Sequence, residues 1–111
     1  MNRTTAIAIL LLASLLEAGG DAIVRGALHR ENAAARFLLF FLGACVLFAY
    51  GWVVNAPAWD FGKLLGIYVV FFFITAQVIS WVAFSQPPTR SVIVGGLLIV
   101  SGGIVIAFNQ V

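Results

Sequence analysis

Four long apolar runs, separated by short polar segments, account for most of this chain. They cover residues 4–24, 34–54, 63–84 and 91–108. Each run is close to the roughly 20 residues that an α-helix needs to cross the hydrocarbon core of a bilayer. Backbone groups in lipid must form hydrogen bonds within their own segment, so runs of this length are helices. The pattern predicts an all-α integral membrane protein, with residues 1–111 forming one domain of four transmembrane helices.

The composition indicates the same class. Of the 111 residues, 63% are hydrophobic and 9% are charged, and the mean hydropathy is +1.12. This leaves too little polar material to cover a soluble globule. The first run could instead be a signal peptide, but no clean small-residue cleavage site follows it and two acidic residues do, so we expect a spanning helix.

The first run is unusual because it contains two acidic residues. Glu17 lies roughly 20 Å along the helix from Thr4, which is deep in the hydrocarbon core. A charge at such depth costs about 2.5 to 3.5 kcal/mol, so we expect the side chain to face a protein interior, a wet cavity or a cationic partner. Asp21 lies one turn further on, and its spacing to Arg25 predicts an ion pair near the helix end.

These two carboxyl groups suggest proton chemistry. Burial and a neighbouring carboxylate both disfavour the charged form, so we expect Glu17 to hold its proton more tightly than in water and the two acids to titrate as a pair. Such a carboxyl group can exchange its proton for a cation. The alternative is that Glu17 only fixes helix packing by hydrogen bonding. For Asp21, a simple salt bridge with Arg25 explains the residue equally well.

The third run carries polar and aromatic residues that predict a binding wall. Gln77 and Trp81 are four residues apart, and we expect Tyr68 and Thr75 to lie near them around the helix, so that the wall faces Glu17. Aromatic rings bind organic cations through their quadrupoles. The alternative is that Trp81 lies at the membrane interface and that Gln77 hydrogen-bonds to a neighbouring helix.

The second and fourth runs predict packing surfaces. The second, which includes Tyr50, is interpreted as lipid-facing and helix-packing. The fourth has two pairs of glycines seven residues apart, which form a ridge that lets helices approach closely. We expect this ridge to contact a second copy of the chain rather than another helix of the same chain, since four helices are too few to enclose a pathway. The predicted dimer interface consists of Gly95, Gly96, Gly102 and Gly103.

Several classes of function have no signal in the sequence. There is no nucleophile with a base, no phosphate loop and no cluster of metal ligands, so we expect no enzyme, no cofactor and no metal site. His29 is interpreted as a solvated loop residue. There is no basic run of the kind that binds nucleic acid.

The basic residues bear on orientation in the membrane. Arg3 and Lys63 lie at the end that carries both termini, and four arginines lie at the other end. This difference of four to two favours termini outside the cytoplasm. Insertion in both orientations is the alternative, and an antiparallel dimer requires it. The four arginines are Arg25, Arg30, Arg36 and Arg90.

The chain as a whole resembles the small multidrug resistance superfamily of drug and metabolite transporters, close to its YnfA-like branch. The first helix carries Glu17, followed by Gly20 and Arg25, and the family's membrane-embedded coupling glutamate falls on Glu17. The glycine pairs of the fourth helix resemble the ridge through which family members dimerise. The third helix and its following turn are similar to the family consensus at Ser80, Trp81, Phe84 and Gln86.

The resemblance implies an antiparallel homodimer that exchanges protons for small cationic compounds at paired glutamates. The chain is then an exporter of quaternary ammonium or guanidinium-like solutes in a bacterial inner membrane. The expected substrate and proton site comprises Glu17, Asp21, Tyr68, Gln77 and Trp81. The alternatives are a membrane subunit or chaperone that does not transport, and a subunit of a lipid-linked-sugar flippase.

Two features depart from the family pattern. The third helix has no central glycine, since residues 69–73 are all valine or phenylalanine, and this removes the usual hinge for alternating access. Asp21 stands where the family commonly has a small neutral residue. This extra acid could favour a more highly charged substrate or a metal ion, or it could merely neutralise Arg25.

Overall fold

The computed structural model describes residues 2–108, and these residues form four α-helices joined by short loops. The helices are α1 (Arg3–Leu28), α2 (Ala33–Val54), α3 (Phe61–Phe84) and α4 (Arg90–Phe108). Each helix is long and apolar enough to cross a membrane. The predicted all-α, four-helix architecture of a membrane protein is therefore confirmed. α1 is four residues longer at its C-terminal end than predicted, and its 26 residues measure about 39 Å.

Polar side chains fix where three of the helices begin. Asn2 and Asn32 each accept a hydrogen bond from the backbone N–H three residues further on, at 2.8 and 3.0 Å. Thr89 does the same for α4, at 3.3 Å. These bonds satisfy amide groups that the start of a helix leaves without a partner.

The end of α3 is closed by a tight turn. Ser85 adopts the left-handed conformation, with φ 55° and ψ 37°, and the backbone N–H of Gln86 donates to the carbonyl of Ser80 at 3.0 Å. The hydroxyl of Ser80 in turn donates to the carbonyl of Gln86 at 3.1 Å. This turn brings Gln86 back beside the last turns of α3.

α1 packs against both α2 and α3. It meets α2 at two glycines. A Cβ atom on Gly20 would lie 2.8 Å from the Leu47 side chain, and one on Gly43 would lie 2.7 Å from Val24. Small residues of this kind let two helix backbones approach closely. The buried core that results comprises Leu10, Ala13, Val54, Leu64 and Tyr68.

α4 packs against α3, and this contact uses half of the glycine ridge. A Cβ atom on Gly96 would lie 2.6 Å from the Phe73 ring, and one on Gly103 would overlap Val70. Gly95 and Gly102 face open space. The prediction that all four glycines contact a second copy therefore needs correction, because two of them are already covered by α3 of the same chain. The dimer itself stays a prediction.

The outer surface of the helices is strongly apolar. Phe37, Trp52, Val82 and Phe108 are each between 74% and 80% exposed. In water, so large an exposed apolar surface would drive association, whereas in a bilayer it is the normal surface of a spanning helix. The burial pattern therefore agrees with a multi-pass membrane protein.

Candidate functional site

Glu17 and Tyr68 meet at the interface between α1 and α3. The Tyr68 hydroxyl donates a hydrogen bond to Glu17 Oε1 at 2.8 Å. Tyr68 is only 4% exposed, and Glu17 is half-buried. A hydrogen bond from a phenol to a carboxylate is charge-assisted, so it fixes the position of the carboxylate more firmly than a neutral bond would. The structure thus brings these two predicted site residues together.

Tyr50 of α2 completes the surroundings of Glu17. Its ring lies 5.7 Å from the Tyr68 ring, centroid to centroid, and it is within electrostatic range of the Glu17 carboxylate. Phe72 continues the row of rings, with its centroid 6.3 Å from that of Tyr68. Three helices therefore contribute to one carboxylate and aromatic site. The sequence interpretation of α2 as lipid-facing and packing surface missed Tyr50.

A buried pair of hydroxyl groups supports this site from one turn below Glu17. Ser14 Oγ and Thr75 Oγ1 lie 2.9 Å apart across α1 and α3. Ser14 is fully buried and Thr75 is 7% exposed. Ser14 also donates to the carbonyl of Leu11 at 2.7 Å, so Thr75 donates to Ser14. The pair links the two helices that carry Glu17 and Tyr68, and hydrogen bonds of this kind contribute to the association of spanning helices.

Asp21 and Arg25 line a pocket of about 270 Å³ between the C-terminal halves of α1 and α3, and Phe72 lines it too. Among the described residues, Asp21 and Arg25 form no ion pair with each other, so the predicted pair is wrong. The Arg25 guanidinium lies instead over the ring of Phe84, 5.4 Å from its centroid. Both charged side chains are exposed, where an ion pair contributes little stability and a cation–π contact contributes about as much.

Gln77 and Trp81 do not join Glu17 within the chain. Gln77 follows Tyr68 by nine residues, which is about two and a half turns of helix, so it points to the opposite side of α3. On that side Val70 and Phe73 contact α4. Trp81 is 59% exposed. The four residues of the predicted binding wall therefore do not share one side of α3. Tyr68 and Thr75 face α1, and Gln77 and Trp81 do not. Their role in binding stays a prediction.

The other polar groups that the structure describes include possible metal ligands. Within residues 2–108, no three His, Cys, Asp or Glu side chains come together as metal ligands would. His29 is exposed at the C-terminal end of α1. What the site offers is one carboxylate, two phenol groups and a phenyl ring.

The fold and composition define the class: an all-helical, multi-pass membrane protein with an acid set between its helices. No protein-family model, no curated protein and no solved structure matches the chain. The assignment of a function therefore depends on the chemistry of Glu17 and its neighbours.

Proposed function

We propose that this protein is a proton-coupled secondary transporter that exports small cationic compounds. One observation carries the proposal: the carboxylate of Glu17 lies inside a spanning helix, in contact with the Tyr68 hydroxyl, and within residues 2–108 it forms no ion pair. An acid inside a membrane that has no basic partner is typical of a transport or proton pathway. The resemblance to the small multidrug resistance superfamily supports the same function.

The chemistry of exchange follows from the site. A carboxylate beside the row of aromatic rings formed by Tyr50, Tyr68 and Phe72 suits a quaternary ammonium or guanidinium-like ion, because ring quadrupoles and the negative charge both attract a cation. A proton on Glu17 removes the negative charge and with it most of this attraction. A proton and a cation therefore compete for the carboxyl group of Glu17. This competition couples the inward movement of protons to the outward movement of the cation.

The pocket that contains Asp21 is the proposed route between this site and the aqueous phase. It opens between the C-terminal halves of α1 and α3, and Asp21 lies one turn beyond Glu17 towards that end. A second carboxylate here raises the local concentration of cations at the entrance. We place the transporter in a bacterial inner membrane, as a homodimer in which two copies of Glu17 share one chamber.

Transport in proteoliposomes tests this proposal. An imposed pH gradient should drive uptake of guanidinium or a tetraalkylammonium ion, and Glu17→Gln should abolish this uptake because an amide neither releases a proton nor balances a cation. Glu31→Gln, which removes an exposed acid from the loop after α1, is the matched control and should transport normally. Gradient-driven uptake that survives Glu17→Gln in folded protein would show that the assignment is wrong.

A second candidate is a membrane subunit or chaperone that does not transport. The same observation favours it, since a basic residue of another protein could pair with the unpaired Glu17. The mass of the detergent-solubilised protein separates the two candidates. A stable homodimer supports the transporter, and an obligate complex with a different protein supports the subunit.

A further inference from the structure

A second and larger cavity lies on a different part of the molecule from Glu17. It is a groove of about 560 Å³ along α3, between α1 and α4, at the end where α1 and α3 begin and α4 ends. α1 and α4 both pack against α3 and leave this groove between them. Its walls are apolar and consist mainly of Ile7, Ile67, Val70, Phe71, Val100 and Ile104.

The mouth of the groove carries positive charge. Arg3 at the start of α1 and Lys63 at the start of α3 both line it, together with Trp59. Among residues 2–108 no acidic side chain lines it; Asp60, which adjoins Trp59 in the sequence, is exposed and is not part of its wall. Within residues 2–108, neither Arg3 nor Lys63 forms an ion pair. The groove therefore combines an apolar interior with an aromatic residue and two basic residues at one end, neither of which forms an ion pair within residues 2–108.

We propose that this groove binds an anionic phospholipid. The phosphate of the headgroup pairs with Arg3 and Lys63, and an acyl chain lies along the apolar wall between α1 and α4. Trp59 lies at the depth where its ring can contact the glycerol and headgroup region. Basic pockets between spanning helices are a known kind of site for anionic headgroups. A free phosphate ion would use only the mouth, whereas a phospholipid matches both the charge and the apolar length.

Bound lipid also has a structural consequence. Within the described residues, α4 packs against α3 and not against α1 or α2. An acyl chain in the groove would contact both α1 and α4. Anionic lipid should therefore stabilise the helix bundle more than a zwitterionic lipid with the same acyl chains. This site is separate from Glu17, so it does not depend on the proposed transport function.

Charge removal tests the headgroup contact. Native mass spectrometry of the purified protein with palmitoyl-oleoyl phosphatidylglycerol should show tight binding, and phosphatidylcholine with the same chains should bind weakly. Replacing both cations, Arg3→Gln with Lys63→Gln, should weaken phosphatidylglycerol binding about 30-fold, the equivalent of about 2 kcal/mol for two basic residues. The matched control, Arg30→Gln with Arg36→Gln, removes two charges at the other end of the bundle. Equal loss in both double variants, or no loss in the first, would overturn the proposal.

Filling the groove tests the acyl-chain contact. Ile104→Trp should occupy the groove and weaken phosphatidylglycerol binding about tenfold. Val105→Trp is the control, because Val105 is 65% exposed and does not line the groove. If Ile104→Trp instead dissociates a dimer while lipid binding is unchanged, the groove is an interface between copies and the proposal is wrong. Displacement of the lipid by millimolar inorganic phosphate would overturn it too, since a soluble anion would then be the ligand.

Discussion

The contact between Glu17 and Tyr68 joins residues 51 positions apart in the sequence, and it gives the carboxylate a fixed orientation. In a hydrocarbon environment, a free carboxylate would bend towards water or take up a proton permanently. A phenol that donates a hydrogen bond stabilises the side chain in place without adding a positive charge that would compete with a substrate. Among residues 2–108 this arrangement leaves Glu17 without an ion pair, which the proposed exchange with a cation requires.

We predict that Tyr68→Phe lowers the transport rate at sub-saturating substrate about tenfold. The substitution keeps the ring and its contacts with Tyr50 and Phe72 and removes only the hydroxyl group, so it costs the charge-assisted bond but little packing. Initial rates in proteoliposomes measure this effect. Tyr50→Phe is the control and should lower the rate less, since the Tyr68 hydroxyl still holds Glu17. A Tyr68→Phe protein as active as the parent would contradict the role given to the hydroxyl.

The sequence was sufficient to find some residues of this site and not others. Glu17 can be found from the sequence because an acidic residue within an apolar run is unusual, whichever side of the helix it occupies. Tyr50 could not, since a tyrosine in an aromatic helix has the same signature whether it faces lipid or a neighbouring helix. The prediction that Gln77 and Trp81 share a wall with Tyr68 does not agree with helical spacing, which places Gln77 half a turn around α3 from Tyr68.

At the scale of the helices, the spacing of glycines predicts which side of a helix allows close approach. It does not predict which neighbouring helix packs against that side. The existence and approximate extent of all four helices are predicted by apolar length, because backbone in lipid has few alternatives to a helix, although α1 continues four residues beyond its apolar run. The two glycine pairs of α4 gave identical patterns, yet Gly96 and Gly103 contact α3 and their neighbours Gly95 and Gly102 remain open. Only the packing order of the helices separates these two pairs.

Substitution of adjacent glycines distinguishes the two sides of α4. Gly103→Ala places a methyl group against Val70, so we expect it to destabilise the α3–α4 contact by about 1 to 3 kcal/mol. Gly102→Ala meets no atom within 4 Å, so within one chain it should be neutral or slightly stabilising through its higher helix propensity. Thermal unfolding in detergent measures both.

The same two variants report on the predicted dimer. If the open glycines form its interface, Gly102→Ala should lower the dimer fraction in light scattering while leaving the unfolding temperature of the chain nearly unchanged. Gly103→Ala should instead lower the unfolding temperature and leave the dimer fraction nearly unchanged. Equal effects of both substitutions on stability and on dimer fraction would mean that α4 does not have two separate contact faces.

For the molecule as a whole, the single chain presents Glu17 at a site that only three helices surround. Glu17 is half-buried and Asp21 is exposed, so one chain shields the carboxylate on one side only. α3 runs without interruption from Phe61 to Phe84, which leaves little room for a hinge within the chain. If the chain is a dimeric transporter as proposed, alternating access is most simply achieved by tilting one rigid copy against another, with the two glutamates in a chamber between them.

Mixed dimers test whether the two glutamates act together. When wild-type and Glu17→Gln chains are co-expressed in equal amounts and pair at random, about a quarter of the dimers carry two glutamates. If both are required, uptake should fall to about a quarter of the wild-type rate per dimer. If each chain transports alone, uptake should fall only to about half. Co-expression with Glu31→Gln should leave the rate unchanged, which separates the loss of Glu17 from any effect of expressing two variants together.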